Sequence, residues 1–229
     1  MNLRAEHEES ADSAGVPVHE QVYRALRKKV LFGELEPGQA VTIQGLTQSL
    51  DVGMTPVREA LRRLTAEGAL EFQGNRRICV PVLDRSAIDE LTVARRALEP
   101  ELARMATARI TSAQVAALRD CDARLDRAIA RGDVRGYLEE NHDFHAAING
   151  IAQAPILTAL VEGLWLRFGP SLRVVCGLFG TRNLPDMHKD LINAFELGDP
   201  VAAARAMEGD VVQGMDQIRA GLSDSIDTE

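Results

Sequence analysis

The run Thr55-Pro-Val-Arg-Glu-Ala-Leu-Arg-Arg63 constrains this chain more than any other stretch. Val57, Ala60, Leu61 and Leu64 recur at helical spacing, so one stripe of a helix is buried here. Thr55 is placed to cap that helix, because its hydroxyl can accept a hydrogen bond from a free N–H of the first turn. Pro56 then takes the first helical position, where a missing N–H costs nothing. Arg58 and Arg62 are four residues apart and share the opposite face. A short helix with a hydroxyl at its start and an arginine face suits the DNA major groove. There, arginine bonds guanine bidentately and threonine reaches base edges or phosphates.

The neighbours extend the pattern. Val16 to Phe32 reads as a helix with Val22, Leu26 and Val30 apolar, and Gly33-Glu-Leu-Glu-Pro-Gly38 reads as a turn. Ile43 to Leu50 reads as a short second helix, and Asp51-Val-Gly53-Met as the tight turn before the third. Gly68 sits where a left-handed residue ends a helix. Two β runs follow, Ala69 to Phe72 and Ile78 to Val82, around Gln73-Gly-Asn-Arg-Arg77. Helix, helix, recognition helix and basic hairpin make a winged helix-turn-helix, with Arg76 and Arg77 on the wing. The competing reading is a structural three-helix domain with ordinary surface arginines, since shape alone is not DNA binding.

A net charge of −8 argues against a polyanionic partner until it is divided along the chain. Residues 17–82 carry nine Lys/Arg against seven Asp/Glu, a balance of +2, whereas residues 1–16 give −3 and residues 83–229 give −7. The field at the contact face matters more than the total. At 229 residues the chain can bury two modest cores. No run of about 18 apolar residues exists, so no membrane span is expected. Residues 1–16 are polar and acidic, lack a signal-peptide core and are expected to be a disordered leader, as is a tail at 223–229. Three widely spaced cysteines suggest a reducing cytoplasm and no zinc-finger spacing.

From residue 83 to 222 the pattern is helical throughout. Six helices are expected, at about 84–108, 111–131, 134–152, 154–177, 185–198 and 200–222, each break carrying Gly, Pro or a capping residue. The fold class is therefore mainly α, a winged unit over residues 17–82 followed by an antiparallel six-helix bundle.

One constellation in the bundle carries chemistry. Asn141 and His145 lie four apart on one helix face, His188 opens the fifth helix and Asp210 sits in the sixth. Three helices of a bundle can bring such side chains to one interior point. Imidazoles with oxygen donors suit zinc, nickel, manganese or iron(II). A surface role or a hydrogen-bonded core is the alternative. Arg95 can form an i,i+4 pair with Glu99 on a solvated face. Trp165 reads as packing, and Arg167 and Arg173 beside it as surface arginines or effector contacts.

Leu35-Glu-Pro-Gly38, Thr55-Pro-Val-Arg-Glu-Ala-Leu61 and Arg63-Leu-Thr-Ala-Glu-Gly68 resemble the N-terminal domain of the GntR family of bacterial transcription regulators. The resemblance implies that Thr55 and Arg58 meet DNA in the groove while the wing reaches the minor groove. Met54 stands where the family has an arginine, and Arg77 stands where a wing-tip glycine is expected. Asn141-His-Asp-Phe-His145-Ala-Ala-Ile148, with His188, resembles the ligand-binding domain of the FadR subfamily. In its metal-binding members, Asn141, His145 and His188 match ligand positions, and the last ligand falls at Asp210 instead of a histidine. His142, Asp143, His7 and His19 gain no such support; His142 and Asp143 belong off the ligand face. Ala94-Arg-Arg-Ala-Leu-Glu99 resembles a subfamily run whose first arginine, here Arg95, faces the cavity and pairs with an acidic effector. The implied protein is a cytoplasmic homodimeric regulator, a repressor in preference to an activator. It would bind a pseudo-palindromic double-stranded operator and answer to a small carboxylate, with a divalent metal in the bundle. The rival readings are a metal-dependent hydrolase and a metabolite sensor that has lost DNA affinity.

Overall fold

The computed structural model describes residues 16–74, 77–179 and 187–226. Most of the expected leader, the end of the expected tail, and Arg76 lie outside these residues.

The winged unit is built from α1 (Val18–Leu31), β1 (Ala40–Val41), α2 (Ile43–Leu50), α3 (Met54–Ala66), β2 (Glu71–Gln73) and β3 (Arg77–Cys79). Thr42 caps α2 by accepting a hydrogen bond from the Gly45 N–H at 3.1 Å. Asp51 closes it in the left-handed region, at φ 51°, which makes the sharp turn into α3. Val22, Leu26 and Val30 of α1 meet Val57, Ala60, Leu61 and Leu64 of α3, all nearly inaccessible to solvent. The three strands form an antiparallel sheet in the order β1-β3-β2, with Ala40 and Glu71 both opposite Cys79. The two-residue β1 was not foreseen, because two residues carry no legible alternation.

Two local expectations need correction. The N-cap of α3 is Gly53, in extended conformation, so the helix begins at Met54 and Thr55 is its second residue. Pro56 is then the third, still within the first turn, where N–H groups lack intrahelical acceptors anyway. At the wing, Gly74 makes the turn at φ 52°, and Arg77 is a strand residue paired opposite Gln73. The turn therefore has its own glycine, and Arg77 does not replace it.

The bundle comprises α4 (Arg85–Thr107), α5 (Ser112–Arg131), α6 (Val134–Ala152), α7 (Pro155–Phe179), α8 (His188–Leu197) and α9 (Pro200–Ile226). Its boundaries follow caps. Asp84 accepts from the Ala87 N–H at 2.8 Å, and Thr111 with Gln114 forms a reciprocal capping box. Gly132 and Gly198 end α5 and α8 with positive φ. α9 lies along α4, α5 pairs with α6, and α7 crosses to α1 of the winged unit. The inward residues Leu91, Leu102, Phe144, Ile148, Leu191, Met207 and Val211 make one core.

The two units touch closely along α7. A Cβ built on Gly169 would lie 2.3 Å from the Leu31 carbonyl oxygen, and one on Gly33 would lie 2.6 Å from Arg173 Cβ. Arg27–Glu162 at 3.1 Å and Arg135–Glu34 at 3.6 Å flank the contact. Exposed pairs of this kind contribute little, so backbone packing decides the fit. Gly169→Ala is expected to lower stability by about 1–3 kcal/mol, because the obstacle is a main-chain carbonyl that cannot swing aside. Gly163→Ala, with open space around its Cβ, should be neutral or stabilising. Thermal melting of the two variants checks the contrast; equal melting points would contradict it.

Candidate functional site

Thr55 and Arg58 are exposed on α3, as the groove reading requires. Arg62 is also exposed but binds Glu59, Nη2 to Oε1 at 2.7 Å. Arg63 points the other way. Its guanidinium lies 3.6 Å over the Tyr23 ring and 2.7 Å from Glu20, while the Tyr23 hydroxyl donates to Glu67 at 2.8 Å. That network clamps α3 to α1, which holds the arginine face in a fixed attitude. Arg77 is exposed on β3.

In the bundle, α6 supplies His145, α8 supplies His188 and α9 supplies Asp210. One ligating atom from each lies within 4.8 Å of the others. The imidazoles are turned so that both Nε2 atoms face Asp210, at 3.2 Å from His145 and 3.8 Å from His188. Their Nδ1 atoms face outer carboxylates: Glu99 at 3.5 Å from His145 and Asp122 at 3.5 Å from His188. Phe144 stacks on His188, with ring centroids 3.8 Å apart and 14° between planes, fixing its orientation. Outer carboxylates that face Nδ1 while Nε2 atoms converge are placed as the second layer of metal-binding histidines usually is, here at ion-pair distance. Asn141, one turn before His145, lines the adjoining cavity.

Arg95 and Glu99 are both almost fully buried, Nε to Oε1 at 2.5 Å. The i,i+4 pair is therefore present but sits in the core, not on a solvated face. The same Arg95 lines the cavity beside His145, as the resemblance implied. It rests 4.1 Å over the Phe168 ring. The cavity is small, about 30 Å³, and is also lined by Tyr137, Trp165, Asp210, Gln213 and Gln217. Trp165 Nε1 and Gln213 Oε1 are buried with no hydrogen-bond partner among the described residues. Arg167 and Arg173 are absent from this wall; they lie against Gly68 and Gly33 of the winged unit.

Asp122, Gln213, the contact of Glu99 with His145 and the place of Trp165 on the cavity wall were not singled out from the sequence. A signal existed for two of them. Glu99 lies one turn from Arg95 and Asp122 one turn from Leu118, both at inward positions of otherwise apolar stripes.

The comparisons with known proteins agree with this architecture. Residues 18–80 match the family described as "Bacterial regulatory proteins, gntR family", and residues 90–211 match the "FCD domain". The chain belongs to the GntR family of transcription regulators with an FCD domain. It is 32% identical to the HTH-type transcriptional regulator McbR of Escherichia coli over 66% of this chain and 69% of that one. It is 26% identical to the E. coli repressor RspR over 91% and 93% of the two chains. The solved E. coli McbR/YncC structure superposes with a TM-score of 0.83 at 26% identity, covering 90% of this chain and 98% of that one. These relatives are regulators and not enzymes, which sets aside the hydrolase reading. Among the described residues, no helix is long and apolar enough to cross a membrane.

Burial opposes charge on His145, but Asp210 and Glu99 outweigh it and raise its pKa to about 9. Burial works against the carboxylates too, yet Arg95 and His145 hold Glu99 down to about 2, and His145 does the same for Asp210. In metal-free protein, His145 therefore carries a proton that an incoming cation must displace. A raised pKa in the folded state stabilises fully below the unfolded value of 6.5 and loses that contribution as pH rises through about 9. Chelator-treated protein should lose stability across this window, on the order of 2–3 kcal/mol. His145→Gln should flatten the dependence. A melting temperature rising from pH 6.5 to 9 in the chelated wild type would contradict the assignment.

Proposed function

We propose that this chain is a ligand-responsive repressor. It would bind a pseudo-palindromic operator as a homodimer and be switched by a small carboxylate at a divalent ion in the bundle. The observation that carries the reading is the pairing of an exposed arginine face on α3 with a buried cluster of His145, His188 and Asp210 backed by Glu99 and Asp122. As a member of a bacterial regulator family, it would act in the cytoplasm, where the DNA is. RspR is named a repressor, which favours that sign of control.

In the DNA complex, Arg58 would read a base edge. Among the described residues it has no ion-pair partner to give up, whereas Arg62 would have to leave Glu59 and suits a phosphate. Arg76 and Arg77 would follow the backbone or minor groove from the wing. Thr55, in the first turn, stands where helix N–H groups and hydroxyls meet phosphate. Met54, which is exposed, offers an apolar contact where the family has an arginine.

His145, His188 and Asp210 fit a divalent ion, with Asn141 a further oxygen donor from the same cavity wall. The ion would supply a Lewis-acid anchor for an effector carboxylate. A carboxylate in place of a third imidazole favours harder ions such as manganese or iron(II), relative to zinc and nickel. Arg95, although paired to Glu99, lines the cavity and would orient the same carboxylate. The unmatched Trp165 N–H and Gln213 amide add polar contacts that would select among carboxylates. Exposed Ile156, Leu160 and Leu178 on α7, with Val93 on α4, offer an apolar face for dimer contact.

Two measurements test this reading. Fluorescence anisotropy on the DNA upstream of the chain's own gene should show specific binding. Arg58→Ala should cost about 1–3 kcal/mol and relax specificity. Arg62→Ala should weaken all sequences more evenly and reduce the salt slope. Arg58→Ala protein that binds like wild type would remove Arg58 from base readout. In a panel of small carboxylates tested with manganese present, at least one should release the DNA. Release by none, with specific binding intact, would leave an unregulated DNA-binding protein.

A further inference from the structure

Trp165 is the only tryptophan of the chain, and it stands between the buried cluster and the winged unit. On one side, its ring centroid is 5.1 Å from that of His145. On the other, it is 5.3 Å from His142, with ring planes at 82°. His142 in turn lies 5.7 Å from Phe32, edge to face at 90°. Phe32 is the C-cap of α1 in the winged unit. Four rings therefore run in unbroken contact from a cluster residue to the end of a DNA-binding-unit helix.

The ground around this chain of rings suits a pivot. Gly169 meets the Leu31 carbonyl, Arg173 covers Gly33, and Arg167 lies over Gly68, directly after α3. One stretch of α7 thus touches the ends of both α1 and the recognition helix. Open clefts lie on either side of this ridge. One is lined by Arg27, Phe32, Glu139 and His142, the other by Leu70, Phe72, Val82 and Leu164. Close-packed contacts on a ridge transmit displacement instead of absorbing it, and the clefts leave room for rigid-body rocking.

We propose that Trp165 and His142 form the mechanical link by which occupancy of the His145, His188 and Asp210 cluster reaches the winged unit. This rests on the reading that the cluster takes a divalent ion. His145, His188 and Asp210 would hold the ion together, and the His145 ring would adjust its position in doing so. Trp165 is in contact with that ring and is 5% exposed, so a shift of the ring would carry to it. His142 passes the shift to Phe32 and hence to the end of α1. Trp165 and His142 act here as positioning residues; neither is assigned as a ligand.

Hydrogen exchange of the full chain, with and without zinc ion as the probe, tests the link. In wild type, zinc should slow exchange around the cluster in α6 and α8 and also alter exchange from Lys28 to Leu35. His142→Ala should keep the first effect and lose the second, while His142→Phe, which retains a ring, should keep both. Phe32→Leu, on the other side of the link, should reproduce the loss, so the result does not depend on one variant folding. Trp165 emission should shift with zinc in all of them. A distal change that survives in both His142→Ala and Phe32→Leu overturns the link, as does wild type with cluster protection and no distal change. If neither zinc nor manganese alters cluster protection or melting in wild type, the metal reading itself fails and the link falls with it.

Discussion

Everything in the bundle is arranged around an excess of buried negative charge. Among the described residues, Glu99, Asp122 and Asp210 converge on two imidazoles, with Arg95 the one guanidinium in their midst. Lys189 reaches Asp122 only from the surface, at 3.9 Å. Burying charge is expensive unless it is paired and hydrogen-bonded. Three carboxylates against one guanidinium leave a deficit of positive charge that neutral histidines cannot meet. A proton on His145 answers part of it, which is why its pKa is raised in the metal-free chain. A divalent cation answers it more fully. The cluster is thus a site whose charge balance is completed from outside, and such a site can report on what occupies it.

That constraint also orders the neighbouring side chains. Glu99 is shared between Arg95 and His145, so α4 fixes the histidine of α6. Phe144 holds His188 by stacking, so α6 fixes the histidine of α8. Trp165 and Phe168 of α7 close the cavity and carry Arg95 over their rings. The same helix bears the glycine that lets Leu31 approach, so the element that walls the cavity is also the one on which the winged unit rests.

Much of this was legible in the sequence. The bundle helices fell within a few residues of their expected ends, because Gly132, Gly198, Asp84 and Thr111 are strong chemical punctuation. The convergence of His145, His188 and Asp210 came from helical spacing and family resemblance together. Sequence reasoning failed where a side chain's role depends on a neighbour distant in the chain. Arg95–Glu99 stayed open between a solvated pair and a cavity-facing arginine, because i,i+4 spacing does not say which face is buried. His142 was correctly placed off the ligand face, yet its contact with Phe32 needs the docking of two units that no local pattern encodes. Arg167 and Arg173 followed the same logic, since their partners are glycines 99 and 140 residues earlier. The N-cap was misplaced by two positions, at Thr55 in place of Gly53, because Gly53, without a side chain, gives no capping signal.

The account stands or falls on whether the cluster takes a cation. The most direct measurement is calorimetric titration of tag-free, chelator-stripped protein with manganese and zinc at neutral pH, repeated in two buffers of different ionisation enthalpy. The account predicts one ion per chain, proton release on binding, and loss of binding in His188→Ala and Asp210→Ala. Absence of binding by any divalent ion, or binding that survives both substitutions, would leave His145, His188 and Asp210 as a polar core with no role in sensing.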